Sequence, residues 1–217
     1  MKQYNSADVI RDIHTIIEEF DQLQKRRLTF DDLCAILEPK RISIVHRKED
    51  NRIPKFYAMY NENLTNTKAP DVLVTVSGQE KPTLRYMKPK FMELLAVIIH
   101  ELKHRQQAMQ RYGIWGKDFV DIWFSDYPRD LYLYLDFKDK PIDEWKGYYG
   151  HNDEIDAYAM EAAFICWFGN KPLNLQDSET KRYKQVFANN ETVYNRYLKK
   201  LYGYFMMFNK ETANGKR

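Results

Sequence analysis

At 217 residues the chain is long enough for one domain with its own core. Its 34 basic and 31 acidic side chains are interspersed, and a formal charge of +3 does not call for nucleic acid. Cys34 and Cys166 stand in apolar helical patterns with no thiol or histidine at ligand spacing, so they read as buried free thiols in a reducing compartment. Charged residues interrupt every apolar run that might target or span a membrane, which makes a cytoplasmic chain the expectation, or one carried inside a larger particle such as a virion.

Ser6 reads as the N-cap of a first helix to about residue 23, with Val9, Ile10, Ile13, Ile16, Ile17 and Phe20 on one face. A shorter helix begins after Thr29, where Asp32 can complete a capping box, and ends before Pro39. The pattern then changes period. Runs at 41–46, 55–60, 71–77 and 83–87 are β-branched or aromatic and separated by Asn, Pro or Gly, as in a small twisted sheet, mixed or antiparallel. Pro89 suits the first turn of a long helix to about residue 112, closed by Gly113, with Phe91, Leu94, Leu95, Ile98, Leu102 and Met109 on its apolar stripe. The stretch 113–150 is irregular and rich in aromatic residues. A further helix is expected over 152–168, ending at Gly169. After residue 175 come two helices broken near 189–190. The last of them is amphipathic through Tyr194, Tyr197, Leu198, Leu201, Tyr202 and Phe205. The expected architecture is one α+β domain over 1–217. It comprises a helical appendage (1–38), a sheet with two chemistry-bearing helices (39–170) and a mostly helical C-terminal part (171–217).

The chemistry lies in His100-Glu-Leu-Lys-His104. Two histidines four apart on a helix share a face, so both imidazoles can reach one metal ion, and Glu101 can reach a water bound to it. His100 and His104 fall opposite the apolar stripe, near Glu93, Ala96 and Gln107. Zinc needs a third protein ligand. Glu154, in the first turn of the 152–168 helix, is the preferred candidate, with His151 and Asp156 as alternatives. Ala157, Ala159, Ala162 and Ala163 would let that helix approach closely. Tyr148, Tyr149, His151 or Tyr158 could donate to an oxyanion, and Glu161 or Glu93 could orient a ligand histidine.

This pair of motifs, HExxH followed by Glu154-Ile-Asp-Ala157, resembles the gluzincin metallopeptidases, and its ExxA form is similar to that of ImmA/IrrE-type peptidases. The resemblance covers roughly residues 70–170. It implies a zincin-like fold with a Zn2+ cofactor held by His100, His104 and Glu154, and Glu101 as general base in peptide-bond hydrolysis. It also implies a protein or peptide substrate lying as an added strand on a sheet edge, at 71–77 or 83–87. Lys103 and Arg105 depart from the uncharged residues usual beside such histidines, Tyr158 stands where Asn is common, and 49 residues separate the motifs. A competing expectation is a structural or interaction protein with a zincin-like fold. A phage head–tail component would be one example, using 113–150 and the C-terminal helix as contact surfaces.

Overall fold

The computed structural model describes residues 4–60, 70–115, 150–173, 184–185 and 191–214. They form an α+β structure in which helices cover one face of a small mixed sheet. Helix α1 spans Ser6–Gln22. Its cap is Asn5 rather than Ser6: the Asn5 side chain accepts from the N–H groups of Ala7 and Asp8, and the Asp8 carboxylate reaches back to the Asn5 N–H. The expected apolar face, Val9 to Phe20, is buried throughout. Helix α2, Phe30–Leu37, carries the expected Thr29–Asp32 capping box, and a 3-10 turn over Glu38–Lys40 follows.

Three strands make the main sheet: β2 (Ile42–Lys48), β3 (Lys55–Tyr60) and β4 (Val72–Gly78). Their order is β2-β4-β3, parallel between β2 and β4 and antiparallel between β3 and β4. The register sets Ile44 opposite Val74 and Phe56 opposite Val76, so one face supplies Ile42, Ile44, Phe56, Val72, Val74 and Val76 to the core. The run at 83–87 contracts to β5 (Leu84–Arg85), which pairs with β1 (Arg27–Leu28) as a separate antiparallel ribbon. Two of the sequence expectations change here. Strand β4 is interior to the sheet, so 71–77 offers no edge, and β5 lies outside that sheet. Among the described residues the outer edge beside the long helix belongs to β3.

That helix, α3, runs over Pro89–Trp115 and passes through Gly113, since an interior glycine costs only about 1 kcal/mol and need not end a helix. Helix α4 occupies Asn152–Phe168, with Gly169 at its C-cap, and α5 spans Glu191–Asn214. Helix α3 packs against β3 on one side and α4 on the other, while α5 covers α4. The four alanines of α4 are all buried. The α3 stripe is buried from Phe91 to Leu102, but Met109, at 37% exposure, lies outside the core. Among the described residues, side chains of α1 to α5 and of the sheet belong to one buried cluster. No helix among the described residues is long and apolar enough to cross a membrane.

A buried ammonium joins four helices. Lys103 (α3) is 2% exposed, and its Nζ lies 2.9 Å from Asp156 Oδ2 (α4). The same Nζ donates to Ser6 Oγ of α1 at 2.9 Å and to Gln106 Oε1 at 2.6 Å. Asp156 in turn receives the Tyr204 hydroxyl at 2.6 Å and Lys200 Nζ at 2.8 Å from α5. This explains the charge beside the histidines: Lys103 points away from them into the helix junction. Arg105 pairs with Asp71 at 3.3 Å and lies over the Tyr4 ring. Removing one member of a buried ion pair strands its partner. Lys103→Met is therefore expected to destabilise the protein by about 3 kcal/mol, the low end for such a loss, since Asp156 keeps Lys200 and Tyr204. A denaturation midpoint unchanged from the parent protein would contradict that assignment.

Candidate metal centre

The side chains at the centre come from two helices, with His100 braced by Glu161 of α4 and His104 by Gln107 of α3. His100 and His104 are successive on one face of α3, and their rings meet edge to face, with centroids 4.9 Å apart. Helix α4 brings Glu154 to them from its first turn. The His100 Nε2 to His104 Nε2 separation is 3.2 Å, His100 Nε2 to Glu154 Oε2 is 3.5 Å, and His104 Nε2 to Glu154 Oε1 is 3.4 Å. Tetrahedral zinc with ligand bonds of about 2.0–2.1 Å requires donor atoms roughly 3.3 Å apart. The three edges fit that figure, and among the described residues this is the group that could hold a metal ion.

The hydrogen bonds behind the rings decide what the front atoms offer. His100 Nδ1 lies 2.9 Å from Glu161 Oε2, and an ionised carboxylate can only accept, so Nδ1 carries the proton. His104 Nδ1 lies 2.9 Å from Gln107 Oε1, which also accepts. Both neutral rings therefore present an Nε2 lone pair, and both lone pairs face the Glu154 carboxylate. Glu154 is 2% exposed, and its Oε2 has no hydrogen-bond donor. Three acceptors converge with no donor among them. Such a cluster is electrostatically incomplete without a cation, whether a metal or a proton.

The titration behaviour expresses the same demand. Burial pulls His100 down, but Glu154 and Glu161 outweigh it and leave the ring well above its ordinary value. His104 is also raised, burial being outweighed mainly by Glu154. Burial would raise Glu154, yet His104 and His100 hold its carboxyl far below the usual range. Both shifts favour a proton on the imidazoles, so a metal bound at the same Nε2 atoms would compete with protons. Zinc binding at pH 7 is expected to release about one proton, and affinity should rise with pH until the Nε2 atoms are fully deprotonated. Calorimetry in two buffers of different ionisation enthalpy measures this release. Identical heats in both buffers would show that no proton leaves.

Glu101 follows His100 on α3 and is 9% exposed. Burial raises its carboxyl, opposed by the neighbouring His100 and His104 and by a hydrogen bond from the Tyr60 backbone N–H. The last residue of β3 thus touches the carboxylate next to the histidine pair. Tyr158, 5% exposed, sets its ring edge to face with His100 at 4.4 Å.

The other candidate residues occupy different posts. His151 is the N-cap of α4, its Nδ1 accepting from the Asp153 N–H at 3.4 Å. Asp156 belongs to the Lys103 junction. Glu93 binds Lys90 at 2.6 Å, so the carboxylate behind the His100 ring is Glu161. Tyr148 and Tyr149, with the rest of 116–149, lie outside the described residues. Gln107, which the helical repeat places beside the histidines, has a role that the motif alone does not reveal. Its position three residues after His104 was the available signal, since such pairs are neighbours on a helix.

No family model matches the chain, and no curated protein or solved structure matches it. The functional reading therefore rests on the side chains themselves.

Proposed function

We propose that the chain is a zinc-dependent metallopeptidase of the gluzincin kind, with a zincin-like fold and a protein or peptide substrate. The observation that carries this reading is the converging trio of His100, His104 and Glu154, all acceptors at tetrahedral spacing, with buried Glu101 adjoining it. A structural zinc site is normally closed by four protein ligands, whereas three leave a position for chemistry. When bound, zinc would polarise the scissile carbonyl and make a water acidic enough to attack near neutral pH.

In this reading Glu101 is the general base. It removes the proton from the attacking water and delivers it to the leaving amine. Burial brings its pKa upward toward the working pH, where a proton relay is most effective. Glu161 and the Tyr158 ring keep the His100 imidazole from swinging. Tyr158, like Tyr148, Tyr149 and His151, is a candidate donor to the oxyanion. The substrate strand is assigned to the outer edge of β3, whose end adjoins Glu101, in place of the two segments expected from sequence.

The test is direct. The purified chain should cleave an unfolded protein, lose that activity to a chelator and regain it with zinc. Cleavage indifferent to chelator would reject the proposal. One observation favours the second reading, a structural or virion protein built on the same fold: His100, Glu101 and Glu154 are each 9% exposed or less. Zinc retained at one per chain without turnover of any peptide would support it.

A further inference from the structure

We propose that Gln107 is a positioning residue of this centre, tying the second histidine and the helix of the third ligand together through one amide. Resting on the metal reading above, the inference adds the element that keeps the two halves of the site in register. Gln107 is 7% exposed on α3 and uses both ends of its side chain. Its Oε1 receives His104 Nδ1 at 2.9 Å, fixing the direction of the His104 Nε2 lone pair. Its Nε2 donates to the backbone carbonyl of Asp153 at 3.1 Å, and Asp153 is the residue before Glu154.

An amide is suited to this post because it both donates and accepts; a carboxylate could serve the histidine but not the carbonyl. That carbonyl is part of the peptide unit leading into Glu154, so its position and the Glu154 Cα move together. One turn farther along α3, Arg111 pairs with the Asp153 carboxylate, so residues 107 and 111 grasp the same turn of α4 by backbone and side chain. A slip of α4 by one residue would break both contacts while carrying Glu154 away from the imidazoles. His100 has no such tie: Glu161 braces it from the next turns of α4 without reaching the first. Gln107 is thus the side chain that links ligand orientation on α3 to ligand placement on α4.

Zinc affinity, measured by competition with a chelator of known strength on the full chain, tests this with two variants. Gln107→Met keeps the volume and loses both bonds, and is expected to bind zinc about 10–100-fold more weakly. Gln107→Glu keeps the acceptor for His104 and loses the donor to Asp153, so its affinity should fall between Gln107→Met and the parent. The Nδ1 nitrogen shift of His104, read by NMR, should report a single tautomer in the parent and in Gln107→Glu, and a mixture in Gln107→Met. A change confined to packing would leave that signal alone. Parental affinity in Gln107→Met overturns the proposal. So does a Gln107→Glu variant equal to the parent, which removes the Asp153 arm, or equal to Gln107→Met, which removes the His104 arm. A parent protein that takes up no zinc defeats the metal reading itself and this inference with it.

Discussion

Replacing Glu101 with Gln is expected to lower peptide hydrolysis by about 10²–10⁴-fold, the range that general acid–base catalysis contributes, while zinc stays bound at one per chain. The substitution conserves size and keeps an oxygen that can accept from the Tyr60 N–H. It removes the one function the amide cannot perform, which is taking up a proton. The loss should therefore fall on kcat, with metal content and folding close to those of the parent. Full activity in Glu101→Gln would dismiss this carboxylate as the base. Loss of zinc would instead reassign it from proton carrier to support for the metal.

Zinc itself should depart when Glu154 is replaced by Ala. Removing a partner that merely orients a ligand costs about 10–100-fold in affinity; removing a ligand should exceed the upper end of that range. The trio would be left with two neutral lone pairs, 3.2 Å apart, and no anionic charge to close the set. The metal-free variant carries a second signature. Glu154 is a leading reason that His100 and His104 stand above their ordinary values, so both rings should titrate lower in Glu154→Ala. Unchanged zinc content would move the third-ligand role elsewhere, with His151 next in line because it sits at the same helix start.

Much of this arrangement was legible where the signal is local. Helix α4 was delimited by residues inside it and by Gly169, and β3 by its aromatic run between breakers. The histidine pair needed only the helical repeat. What failed to show was non-local. Asn5 and Ser6 are equally apt as caps, and the choice falls to Asn5 because Ser6 spends its hydroxyl on Lys103, 97 positions away. No hydropathy pattern anticipates a buried lysine whose partners Ser6 and Asp156 come from two other helices. The interior place of β4 is likewise a matter of strand order, which periodicity does not encode. The two-residue β1 and β5 exist only by virtue of each other. Glu154 and His151 could be ranked from sequence, but their separate posts, one facing the imidazoles and one capping the helix, depend on how α4 docks.

The distribution of the three donors along the polypeptide has a consequence for its biosynthesis. His100 and His104 leave the ribosome about fifty residues ahead of Glu154, by subtraction of their positions. Until α4 has emerged and docked, the nascent protein owns only a bidentate imidazole clamp with weak hold on any ion. A chain that stopped short of α4 would lack the third donor, so the trio that could hold a metal ion closes only once α4 is made.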